Sequence, residues 1–164
     1  MSQTFMKVLL SMLSMLFALV ASSALAQMPN PYGASINLET AKKAAAAAAA
    51  EARKNNWNMA IAVTDGGGAL VYLEKMDATQ TGSVKVAIGK ARSAALFKRP
   101  TKVFQDAVAG GGAGLRILGL EGAVPVDGGL PIVIDGKIVG AIGVSGAAGD
   151  QDAQCAKAGV DTLK

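Results

Sequence analysis

The chain has 164 residues, a formal charge of +4, 20 glycines, one cysteine and no histidine. Lack of histidine excludes a Ser-His-Asp triad, a Cys-His dyad and a His-ligated zinc or haem iron, while one cysteine excludes an intrachain disulfide and any Cys-rich metal site. Hydrophobic residues make up 51% of the chain and aromatics only 4%, so Ala, Val, Ile and Leu must supply most of the burial.

Met1–Lys7 carries one positive charge, Val8–Val20 (VLLSMLSMLFALV) carries none, and Ala24-Leu25-Ala26 is a small-x-small triplet. The apolar run is short for a bilayer span, and the pattern predicts a secretory signal peptide over 1–26 with cleavage before Gln27. An uncleaved anchor is the alternative. The expectation is an exported protein, periplasmic or extracellular, with no membrane span after cleavage. Loss of Lys7 lowers the charge to +3, too weak and too evenly spread to argue for nucleic acid.

Residues 27–36 contain Pro, Asn and Gly close together and read as an irregular arm; 37–164 read as one domain. Asn37 is placed to cap a helix through the Ala-rich stretch Ala41–Lys54, whose small surface suits very close packing. Met59–Thr64 and Ala69–Lys75 flank Asp65-Gly66-Gly67-Gly68 and predict a hairpin. Ser83 is the expected cap of a helix over Val84–Phe97, which stops before Pro100. Thr101 is the expected cap of a short helix, Lys102–Val108, closed by Gly110-Gly111-Gly112. Leu115–Leu120 is apolar and ambiguous, and Ala123–Val126 reads as a short strand. Leu130–Ile134 and Lys137–Val144 flank Asp135-Gly136, a type I′ turn signal. The second of these strands has a face of small residues, Val139, Ala141, Gly143 and Ser145, which requires a helix, a second subunit or a flat ligand close by. A last helix is expected over Asp150–Leu163, with Cys155 as a buried thiol. Helices and hairpins together predict an α+β domain with a mostly antiparallel sheet.

Neither glycine cluster completes a phosphate-binding motif. Asp65, Asp127 and Asp135 each precede Gly and read as turn residues; Asp150 and Asp152 read as acids at a helix start. The basic cluster Lys90, Arg92, Lys98 and Arg99 carries more information. Lys90, Ala94, Phe97 and Lys98 lie near one helix face, and Arg99-Pro100-Thr101 turns the chain just after it. Cations, a hydroxyl and free N–H groups there suit a carboxylate, against the plainer reading of a solvated basic face beside a Thr cap.

Several segments carry a resemblance in order along the chain. They are Leu38-Glu39 before the Ala-rich helix, Ile61-Ala62-Val63-Thr64-Asp65, Glu74-Lys75-Met76-Asp77, Gly89-Lys90-Ala91-Arg92, Arg99-Pro100-Thr101, Gly128-Gly129-Leu130-Pro131-Ile132 and Gly140-Ala141-Ile142-Gly143-Val144-Ser145-Gly146. On these the chain resembles the GlcG/HbpS family, to which the C-terminal domain of PduO-type proteins is also related. The resemblance implies a profilin-like antiparallel sheet of five strands flanked by helices, and homo-oligomers. It also implies an exported binding protein for haem or another tetrapyrrole, while the lack of His, the few aromatics and the absence of an evident nucleophile–base pair argue against an efficient enzyme. Without His, the resemblance points to Lys90, Phe97, Arg99, Thr101, Gly128, Gly129 and Pro131 as ligand-binding residues, with Lys90 and Arg99 facing propionates. Thr101 and Met76 are the weak candidates for an iron ligand, with Met59 a further thioether. The alternatives are a binding protein or enzyme for a small organic acid, and an oligomer with no ligand.

Overall fold

The computed structural model describes residues 30–164, so the expected signal peptide and the first residues of the arm lie outside it. In chain order the elements are α1 (Leu38–Lys54), β1 (Ala60–Asp65), β2 (Leu70–Lys75), α2 (Ser83–Phe97), α3 (Lys102–Ala109), a 3-10 segment (Gly112–Gly119), β3 (Gly129–Ile134), β4 (Lys137–Ser145) and α4 (Gly149–Asp161). The sheet is antiparallel in the order β2-β1-β4-β3. Both expected hairpins form. Asp135 and Gly136 hold φ of 49° and 70°, the two positive values that a type I′ turn needs.

Four strands form among the described residues, not the expected five. The arm makes a single parallel bridge, Tyr32 to Ile138, on the flank of β4 just beyond its last pairing with β1, Asp65 to Gly140. Ala123–Val126 is not a strand because its donors are used elsewhere. The Val124 N–H donates to Ser93 Oγ at 3.1 Å, the Asp127 N–H donates to Gln105 Oε1 at 2.9 Å, and Pro125 has no N–H. The ambiguous run Leu115–Leu120 falls largely in the 3-10 segment.

Helices cover both faces of the sheet. On one face α1 and α4 bury Ala44, Ala48, Cys155 and Ala156 against Ile61, Val63, Ile132, Ile142 and Val144. The helices meet at Gly159, where a Cβ would sit 2.8 Å from the Ala44 carbonyl oxygen and 2.7 Å from Ile142 Cδ1. On the other face α2 lays Ala87 and Ala91 over Ala60 and Ala62, and Ala94 and Ala95 by Ala141. The small face of β4 is therefore filled by a helix. A Cβ on Gly143 would lie 2.2 Å from the Ala87 carbonyl oxygen, closer than any side chain permits.

The caps divide. Asn37 caps α1, its Oδ1 accepting the Thr40 N–H at 2.8 Å. Ser83 does not cap α2: Gly82 precedes the helix, and the Ser83 hydroxyl is buried without a partner. Thr101 precedes α3 but has helical φ and ψ, and its hydroxyl bonds away from that helix.

Candidate functional site

Four of the residues selected from the sequence meet where α2, β3, the turn before α3 and α4 converge. Lys90 points off α2 and is fully buried. Its Nζ donates to Asp152 Oδ2 at 2.7 Å and to the Val144 carbonyl oxygen at 3.0 Å. Asp152 belongs to α4, on the opposite face of the sheet, and is equally buried. The ion pair thus joins the two helical layers beyond the start of β3. Asp152 Oδ1 accepts the Ala147 N–H at 3.1 Å. Burial pushes the Asp152 carboxyl above the usual carboxylate range, while Lys90 and the N–H groups of Ala147 and Gly146 pull it back.

Gly128 and Gly129 close over this pair. Gly128 has φ +114°, and a Cβ there would lie 2.7 Å from Asp152 Cβ and 2.9 Å from Lys90 Nζ. A Cβ on Gly129 would lie 2.5 Å from the Lys90 carbonyl oxygen and 2.6 Å from Thr101 Cγ2. Only glycine lets the backbone pass there. Thr101 Oγ1 accepts the Gly129 N–H at 2.9 Å, and the Thr101 N–H donates to the Gly129 carbonyl oxygen at 3.0 Å. Thr101 is fully buried. Lys90, Thr101, Gly128 and Gly129 therefore form one closed hydrogen-bonded junction rather than an open basic face.

Phe97, Arg99 and Pro131 lie outside that junction. Phe97 is half-buried at the end of α2, with its ring edge-on to Phe104 at 5.2 Å. Arg99 is exposed; its Nε donates to the Phe97 carbonyl oxygen at 2.9 Å and its guanidinium lies 5.8 Å from the Phe104 ring centre. Pro131 is half-buried on β3, opposite Ala141. Of the sulfur candidates, Met59 is fully buried, whereas Met76 lines an open cleft of about 380 Å³ with Arg53, Asn58, Glu74, Lys75 and Asp77. Cys155 is buried, and burial pushes its thiol up to about 12. Among the described residues no three of Cys, Asp and Glu converge as a metal site, and no helix is long and apolar enough to cross a membrane.

Sequence reasoning missed Asp152 as the partner of Lys90, because nothing in a helix-start acid reveals a contact 62 residues away. It also missed a second cleft of about 420 Å³, lined by Gly89, Arg92, Leu96, Glu121, Gly122 and Val124. The adjacent glycines 128 and 129, beside a basic helix, were the available signal for the buried junction.

The described residues form a small α+β unit with one antiparallel sheet, helices on both faces and charged clefts at its surface. The chain belongs to the family described as "Haem degrading protein HbpS-like", whose profile matches residues 36–161. Protein GlcG of Escherichia coli strain K12 is 41% identical over 110 residues, covering 67% of this chain and 81% of GlcG. A crystal structure of a double mutant of Streptomyces reticuli HbpS superposes with a TM-score of 0.74 at 32% identity, covering 80% of this chain and 89% of that one. A structure described as a PduOC:heme complex matches in fold, with a TM-score of 0.71 at 23% identity over 79% of this chain and 96% of that one.

Proposed function

We propose that this chain is an exported haem- or tetrapyrrole-binding protein that holds its ligand without histidine and works as a homo-oligomer. The carrying observation is the family match over nearly the whole described domain, and the fold shared with a haem-bound PduOC domain agrees with it. The accessible part of the site is the α2–α3 corner. There Arg99 presents an exposed cation, and Phe97 and Pro131 offer apolar surface for the macrocycle. Lys90, Thr101, Gly128 and Gly129 form the rigid wall behind that corner. Met76 supplies a thioether that lines a cleft, a soft ligand for iron. Haem, when bound, supplies the iron chemistry; this chain's own residues anchor propionates and shield one face. With no strong axial donor, binding is expected to be reversible and high-spin.

The test is a haem titration followed in the Soret region on the wild type, Arg99→Ala and Met76→Leu. Saturable binding weakened by Arg99→Ala supports the corner, and a spectral change with Met76→Leu moves the iron to the cleft. No saturable shift with folded protein sinks the reading. Steady loss of the Soret band with ascorbate and air would replace binding by turnover. Export is checked by finding Gln27 at the N-terminus of the mature protein, and assembly by light scattering on that material.

A further inference from the structure

The second cleft has a charge arrangement that the haem reading does not use. It lies on the flank of α2, under the turn that follows the 3-10 segment. Its floor is Gly89, whose missing side chain leaves room beside Val124; a Cβ there would come within 3.3 Å of Val124 Cγ2. The rim is built into the fold. The Val124 N–H donates to the buried Ser93 hydroxyl at 3.1 Å, which ties the 121–124 segment to α2. Gly122, with φ +81°, turns the chain over Leu96. On the other side, Gly68 leaves space for the stems of Arg92 and Leu96; its absent Cβ would be 3.7 Å and 3.5 Å from them.

Arg92 and Glu121 line the same cleft, yet no ion pair within 4 Å joins them to each other or to any other residue among those described. Neither makes a side-chain hydrogen bond among those residues. Two opposite charges, both exposed, share one hollow without pairing with a protein group among the described residues, and Leu96 and Val124 give it apolar walls. An isolated anion would meet Glu121 repulsion, and an isolated cation would meet Arg92 repulsion. A molecule carrying a carboxylate and an ammonium on one carbon, with an aliphatic side chain, satisfies both groups and the walls.

From this geometry we infer that the α2-flank cleft binds a small aliphatic α-amino acid as its zwitterion, the carboxylate on Arg92, the ammonium on Glu121 and the side chain between Leu96 and Val124. The guanidinium offers the carboxylate a bidentate contact, and a cleft of about 420 Å³ accommodates a ligand of this size. The site uses none of the residues of the proposed haem surface and stands or falls separately.

The experiment is calorimetric titration of the mature protein with L-leucine, beside 4-methylpentanoate, which lacks the ammonium, and 3-methylbutylamine, which lacks the carboxylate. Arg92→Gln and Glu121→Gln are titrated in parallel, with far-ultraviolet circular dichroism and melting curves to show that they fold. Both side chains are exposed, so the fold does not depend on them. Saturable L-leucine binding is expected, with each variant and each single-charge analogue at least tenfold weaker. Arg92→Lys is expected to recover part of the affinity lost in Arg92→Gln. L-leucine binding that is absent, or unchanged in both variants, overturns the inference. So does 4-methylpentanoate binding as tightly as L-leucine.

Discussion

Replacing Lys90 by Met tests whether the buried ion pair holds the two helical layers together. Met keeps most of the stem but removes the ammonium, leaving the Asp152 carboxyl buried without the cation that offsets its burial. Breaking one side of a buried pair costs ~3–5 kcal/mol because the remaining charge is uncompensated. The Val144 carbonyl oxygen loses the donor now 3.0 Å away, worth about 1 kcal/mol more. For about 135 ordered residues the unfolding entropy is about 0.28 kcal/mol/K, so a loss of 4 kcal/mol lowers Tm by about 14 °C. Asp152→Asn is expected to destabilise as well, since the amide still accepts the Ala147 N–H but leaves Lys90 charged and unpaired. The double variant removes both charges and is expected to recover at least about 2 kcal/mol relative to the sum of the single losses. Urea unfolding followed by circular dichroism gives all four stabilities. Lys90→Met within 1 kcal/mol of the wild type, or a strictly additive cycle, would refute the claim that the pair joins the layers.

Three further outcomes follow from the same geometry. Thr101→Val leaves the Gly129 N–H buried without its acceptor, so urea midpoints should fall by the equivalent of about 1–3 kcal/mol. Gly143→Ala forces a methyl group to within 2.2 Å of the Ala87 carbonyl oxygen; α2 must lift off the sheet, and the protein should be recovered misfolded or with non-cooperative melting. Cys155 should resist a thiol reagent in the native protein and react at once in 6 M urea. Its thiol is raised to about 12 by burial, so the neutral form favours the folded state. The stability it contributes is fully present below the unfolded thiol value of roughly 8.5 and fades as pH climbs towards 12. A native thiol that reacts at pH 8 at the unfolded rate would contradict its burial.

Local signals were legible where the backbone itself carries the information. Asp135-Gly136 wrote its turn in residues that tolerate positive φ, and Asn37 wrote its cap in a side chain that reaches the Thr40 N–H. The small face of β4 announced a close neighbour, which α2 turned out to be. Ser83 and Thr101 misled because a hydroxyl before a helix has the same local pattern whether it caps or reaches elsewhere. Thr101 meets Gly129 across 28 residues, a contact no window along the chain contains. Ala123–Val126 failed as a strand for a related reason: Pro125 and side-chain acceptors on α2 and α3 took the segment out of the sheet. In the candidate site, the cluster of basic residues was visible, but its division was not. Lys90 faces inward to an acid on the far layer, while Arg92 and Arg99 face water.

That division follows from how the molecule achieves close packing with few aromatics. Alanine and glycine bring α2 almost onto the sheet, and α1 onto α4, so little room remains between the layers for a ligand. A long polar side chain trapped at such a boundary must find partners inside, as Lys90 does with Asp152 and Val144. Arg92, two residues on and about 200° around α2, emerges at its flank, where the 121–124 segment and the β1–β2 turn leave a hollow beside it. The helix thus uses neighbouring cations for opposite purposes. Removing them one at a time separates the purposes: Lys90→Met takes the cation from Asp152 at the junction, and Arg92→Gln takes the guanidinium from the cleft it lines with Glu121.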